Sequence, residues 1–269
     1  MSRFCWGHRA RQFFLEQNST DAGYGPLRPA AIDFYARRLK RTEIRERTVQ
    51  MSLKEIHIIA SAIVFFVVFN ITEDLLDFPK PDFIHILHLT HENAIPTWLS
   101  NVILLLGALA AYQGFKIGRQ KNIAGARAFL VAAILLAAMS CDEVAQIHER
   151  IGDWIPVLHL FPADWKRNAR WVWVGGPIIL VLFAFAINAL RKPLSLAPGS
   201  NLLLAGGFGA IFLGGVVIES TINWLNHEEL QWIWDAETIV EEGLELVGGL
   251  LILYGLTAWN RAMAEPTPR

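Results

Sequence analysis

Two acidic stretches sit where a membrane helix should be apolar: Ser140-Cys-Asp-Glu-Val-Ala-Gln-Ile-His-Glu-Arg150 and Glu237-Thr-Ile-Val-Glu-Glu-Gly-Leu-Glu245. Each adjoins an apolar run too short to cross a bilayer alone, 14 residues from Ala128 to Cys141 and 16 from Leu244 to Trp259. A span needs about 20 residues. The helices must therefore continue through the acidic stretches, which puts Asp142, Glu143, Glu241, Glu242 and Glu245 at membrane depth. Ionisable groups are costly there, and the default explanation for them is function.

The rest of the chain fits a membrane protein. Hydrophobic residues make up 53% of it, and they are clustered. Apolar runs lie at about 56–72, 98–117, 127–148, 172–190, 201–219 and 237–259. The expected fold is all-α, a polytopic bundle of six transmembrane helices with short interfacial helices on the periplasmic side. Lys116, Arg119, Lys121 and Arg127 separate runs two and three, Arg191 and Lys192 separate runs four and five, and Arg261 follows run six. Residues 1–50 carry ten Lys or Arg against five Asp or Glu. The positive-inside rule assigns all these regions to the cytoplasm. Both termini are then cytoplasmic, and an even span count follows. The loop 149–171, with Arg150, Lys166, Arg167 and Arg170, runs mildly against the rule and is kept outside by that count. The expected location is a bacterial inner membrane.

The expected division is a basic cytoplasmic tail over 1–50, a transmembrane domain over 51–262 and a short cytoplasmic tail over 263–269. The first segment reads either as a basic amphipathic helix on anionic lipid near 30–47 or as a tail without fixed structure. Met51 also reads as an alternative translation start. No apolar stretch in the first 30 residues resembles a cleavable signal peptide. Cys5 and Cys141 fall on opposite sides of the membrane, so no disulfide between them is expected, and neither forms a CxxC motif. Phosphate-binding, dinucleotide-binding, serine-elbow and HExxH motifs are missing, and nothing supports nucleic-acid binding.

With this topology overlaid, the polar residues converge. Asp142, Glu143, His148 and Glu149 close the third span. Glu219 closes the fifth, and Glu241, Glu242 and Glu245 open the sixth. All are expected on the periplasmic side. Carboxylates packed in low dielectric cannot all remain ionised without a compensating cation. Carboxylate and imidazole ligands on facing helices build metal sites in helical bundles, and mixed sets suit Zn, Fe or Mn. These eight residues are therefore candidate ligands of a divalent metal. Two features strain the reading. No Glu-x-x-His pair occurs in these spans, and on an unbroken helix His148 lies about 120° around from Asp142. A structural polar network and metal-free substrate recognition stay open beside it.

His85-x-x-His88-x-x-His91-Glu92 forms a second candidate group. Spacing of three puts the imidazoles on one broad helical face, close enough to share a metal. The same pattern fits an interfacial helix whose histidines face headgroups. Asp82 is expected to cap this helix and Pro96 to end it. Trp98, Trp154, Trp165, Trp171, Trp173, Trp224, Trp232 and Trp234 are expected at the outer interface and Trp259 at the inner one. Gly206, Gly207, Gly209, Gly214 and Gly215, with Gly243, Gly248 and Gly249, are expected to let spans five and six approach closely.

Glu92-Asn-Ala-Ile-Pro-Thr-Trp-Leu-Ser100, Ser140-Cys-Asp-Glu-Val-Ala-Gln-Ile-His-Glu149 and Glu241-Glu-Gly-Leu-Glu-Leu-Val-Gly248 resemble motifs of a group of bacterial multi-span proteins of uncharacterised function. The resemblance covers about residues 55–260 and implies a shared architecture without an activity. A looser resemblance is to the alkaline ceramidases, membrane hydrolases that use Ser, Asp and three His around zinc on seven spans. The chain departs from them in span count and lacks their HxxxH element. The functional expectation is a metal-dependent membrane enzyme acting on a lipid or other apolar substrate. The rival is a protein that handles cations or protons, or an accessory subunit of a membrane complex. The expected partners are the lipid bilayer and a lipid as substrate, and the sequence identifies no particular protein partner.

Overall fold

A computed structural model describes residues 52–76, 82–89, 94–148, 150, 171–221 and 231–264. Expectations for residues 1–50, His91, Glu92, Glu149, Trp154, Trp165 and Trp224 lie outside the described residues. So do expectations for the side chains of Asp82, Trp232 and Trp234. The described residues form helices and contain no strand.

Six helices carry the six apolar runs. They are α1 (Leu53–Leu76), α2 (Ile95–Gln120), α3 (Arg127–Ala145), α4 (Val172–Leu194), α5 (Ser200–Thr221) and α6 (Gln231–Ala264). Within α5, the turns over Leu213–Ile218 widen into a π-helix. Helices α1 to α5 are each long and apolar enough to cross a membrane, so the chain is a multi-pass membrane protein. The acidic stretches do lie inside helices: Asp142 and Glu143 in α3, and Glu237, Glu241, Glu242 and Glu245 in the 34-residue α6.

Local chemistry sets the ends. Pro96 occupies the first turn of α2, where its missing N–H costs nothing. It therefore opens this helix and does not close the histidine segment. The described part of that segment is a 3₁₀ stretch over Asp82–Leu87, so the stretch that holds His85 is not an α-helix. Gly125 and Gly199, at φ +83° and +81°, make the turns before α3 and α5.

Helix α6 is the hub, packing against α5, α2 and α1, while α2 packs on α3 and α4 on α5. Its contact with α5 is a glycine seam. A Cβ at Gly207 would stand 2.6 Å from the Gly248 carbonyl, and one at Gly248 would stand 2.6 Å from the Gly207 carbonyl. The two backbones thus touch directly, as small-residue packing predicts. Gly209 has no neighbour within 4 Å, and Gly243 and Gly249 face Val67 of α1 and Ile103 of α2 instead. The apolar core around the seam includes Leu204, Phe208, Leu246, Ile252 and Leu256.

Two of the tryptophans expected at the interfaces turn inward and are buried in the bundle. Trp259 is fully buried, packs with its ring centre 4.4 Å from that of Phe129 and donates its indole N–H to the Pro193 carbonyl at 2.8 Å. Trp171 is buried at the start of α4. In both cases an internal acceptor satisfies the indole N–H, so the ring has no need of the headgroup layer. Trp98 and Trp173 are exposed, as an interfacial position requires.

Candidate functional site: a carboxylate cluster at the acidic end of the bundle

The site begins with a helix break. Helix α3 stops at Ala145, and Gln146 adopts the left-handed conformation at φ 51° while its N–H bonds the Asp142 carbonyl at 2.7 Å. The break swings His148 back over Asp142. The His148 main-chain N–H donates to Asp142 Oδ1 at 3.0 Å, and Nδ1 lies 2.7 Å from Oδ2. The two side chains are about one-third exposed. A left-handed non-glycine residue costs roughly 1–2 kcal/mol. Three hydrogen bonds ending on Asp142 offset that cost.

Glu143, the next residue, points into the bundle. Ser100 of α2 hydrogen-bonds its carboxylate, and Asp142 and His148 act on it electrostatically. Just below, the Ser140 hydroxyl lies 2.8 Å from Asn101 Oδ1 and 3.1 Å from the Asn101 carbonyl, tying α3 to α2.

Glu245 enters from α6. The charges acting on it belong to Glu143, Glu242, Glu241 and Glu219. Carboxylates of α3, α5 and α6 thus converge, as their common depth predicts. The glycine seam and the π-helix make the approach possible. A Cβ at Gly214 would meet the Glu241 carbonyl at 2.7 Å, and one at Gly215 would collide with Glu245 Oε1. Gly215 is therefore the surface on which the Glu245 carboxylate rests. Widened turns of this kind are frequent at functional sites.

Glu219 follows the π-helix and is buried. Its Oε1 accepts the indole N–H of Trp171 at 2.9 Å. The other side of the story is the Trp171 ring, which packs 4.9 Å from the His148 ring. Trp171 thus joins the histidine turn to the carboxylate on α5. Glu237, at the start of the acidic stretch of α6, is buried, and neither of its oxygens accepts a hydrogen bond.

The first histidine group lies elsewhere, against α1. His88 is buried, with Nε2 2.5 Å from Glu73 Oε2, and its ring is 5.7 Å from that of His85. Asn70 braces the segment by donating to the Leu87 carbonyl at 3.2 Å and accepting the Leu89 N–H at 3.0 Å. His88 faces a carboxylate in the bundle, not a headgroup.

Among the described residues, no three His, Cys, Asp or Glu side chains are arranged to hold one metal ion. The geometry supplies one reason, since both Asp142 oxygens are engaged by His148. Ser100, Asn101, Trp171 and Gly215 were not anticipated from sequence as parts of the site. A Ser-Asn pair inside an otherwise apolar helix was a legible signal for the first two. The role of Trp171 depends on a contact 48 residues away, and that of Gly215 on a neighbouring helix.

No curated protein and no solved structure matches the chain. A family described as a domain of unknown function (DUF8692) matches residues 57–259, which run from α1 to the buried Trp259 and enclose every element of the site, and the chain belongs to that family.

Proposed function

We propose that the chain is a six-span protein of a bacterial inner membrane, with both termini cytoplasmic, that exchanges protons for a cation at a periplasm-facing acidic site. The observation that carries this reading is the convergence on Glu245 of Glu143 from α3 and Glu219 from α5, beside Glu241 and Glu242. Among the described residues, the charges that act on Glu245 belong to carboxylates. Such a set in a low-dielectric bundle is held together by shared protons or by a bound cation. Exchanging one for the other is the chemistry it can perform without further parts. Loop charges support the orientation, and the length of α6 supports the sixth span.

The test is proton release from purified protein in detergent on addition of Mn²⁺ or Zn²⁺. The wild type should release protons, and the Glu143→Gln/Glu245→Gln double variant should not. Equal release from both would refute the reading and leave the cluster as a structural network.

A second reading is favoured by the Asp142–His148 pair, which is about one-third exposed while Glu219 and Glu237 are buried. A histidine oriented by a carboxylate is a ready general base. In this reading the protein is a metal-dependent membrane enzyme acting on a lipid or other apolar substrate, with Zn, Fe or Mn among Asp142, Glu143, His148, Glu149, Glu219, Glu241, Glu242 and Glu245. A transition metal present near stoichiometry after gentle purification, and lost in Asp142→Ala, would favour it over simple exchange.

A further inference from the structure

At the opposite, basic end of the bundle, α6 carries a second polar layer. Asn260 follows Glu245 by fifteen residues, roughly 22 Å further along the helix. Between Glu245 and Arg261, α6 has no acidic or basic side chain. Asn260 is only 2% exposed. Its Nδ2 donates to the Ala110 carbonyl of α2 at 2.9 Å, while its Oδ1 accepts nothing from the protein. One turn along α2 from Ala110, Gln113 Oε1 is buried and likewise accepts nothing. Helix α2 presents Gly114 to Asn260: a Cβ there would stand 3.2 Å from Asn260 Oδ1 and 2.9 Å from the Phe129 ring. The third contributor is α5. The Ser200 hydroxyl is buried without a partner, and its main chain packs against Gly255 of α6.

Buried amide oxygens without a donor are rare, because the interior returns nothing for the hydrogen bond they gave up in water. Two donors at this end are committed elsewhere. The Trp259 indole N–H bonds the Pro193 carbonyl at 2.8 Å, and Lys121 Nζ bonds the Met263 carbonyl. Water supplies two donors from one small molecule and commonly bridges such acceptors.

We propose that α2 and α6 hold an internal water site at the basic end of the bundle, with Asn260 Oδ1 and Gln113 Oε1 as its acceptors and Gly114 as the residue that leaves Asn260 uncovered. The site does not depend on the exchange reaction at the acidic end, so the two proposals stand or fall separately.

Radiolytic hydroxyl-radical footprinting of the full chain in ¹⁸O-labelled water reads such a site, because radicals formed from an internal water modify the side chains beside it. Phe129 and Trp259 are the reporters, and both are 0% exposed. Phe208, also 0% exposed and packed 4.6 Å from Phe183, is the dry control. Rates are normalised to the intrinsic reactivity of each residue type. Phe129 and Trp259 should incorporate label several-fold faster than Phe208. Asn260→Leu and Gly114→Ala should each bring them down to the control rate. Gln113→Leu, which leaves the Ala110 bond intact, serves the same purpose if Asn260→Leu does not fold. Labelling of Phe129 and Trp259 no faster than that of Phe208 would overturn the proposal, as would labelling that persists in the folded variants.

Discussion

The seam between α5 and α6 makes a quantitative prediction from two glycines. A methyl at Gly248 would sit 2.6 Å from both the Gly207 carbonyl oxygen and Ile211 Cγ1. Carbon contacts are optimal at about 3.5 Å, so the helices must part locally by roughly 0.9 Å, a gap that forfeits a quarter to a half of each affected contact. Overpacking of this kind costs about 1–3 kcal/mol. The same methyl at Gly209 meets nothing within 4 Å. Both substitutions gain the same helix propensity, about 1 kcal/mol for glycine to alanine, so their difference isolates the packing cost. Gly209→Ala should therefore be more stable than Gly248→Ala by about 1–3 kcal/mol. For a chain of this size that corresponds to roughly 2–12 °C in melting temperature. Thermal unfolding in detergent, followed by tryptophan fluorescence, measures it directly. A Gly248→Ala protein that melts at or above Gly209→Ala would refute the claim that the two backbones touch.

Gly215→Ala should leave the fold intact, because its methyl meets the flexible end of Glu245 and not backbone. It should still reduce cation-induced proton release by displacing that carboxylate. Release unchanged from wild type would show that Glu245 does not need this resting place. Gln146→Gly should stabilise the protein by up to about 1 kcal/mol, since glycine adopts the left-handed conformation without penalty, and Gln146→Val should destabilise it. Thermal melts in the reverse order would place the helix break elsewhere. Reporter fusions after residues 120, 160, 195 and 225 should read in, out, in, out, and an inverted pattern would move the acidic site to the cytoplasm.

Span lengths alone determine that the acidic stretches lie inside helices, because 14 or 16 apolar residues cannot cross a bilayer and a backbone in lipid must stay helical. Carboxylates at one depth on the third, fifth and sixth runs could also be foreseen to meet, since depth follows from residue number at a fixed rise. Which face each helix turns inward could not be read in this way. Helical phase predicts that His148 points away from Asp142, and the left-handed Gln146 reverses that prediction because it resets the phase in a single residue. The spacing of His85 and His88 suggested a shared face, and their rings do lie 5.7 Å apart, but the stretch over Asp82–Leu87 is 3₁₀ and is anchored to α1 by Asn70 and Glu73, partners that sequence spacing does not reveal. Trp171 and Trp259 turn inward for the same physical reason. An indole goes to the headgroups only when no acceptor inside the protein is waiting, and Glu219 and the Pro193 carbonyl become such acceptors only after the helices have packed.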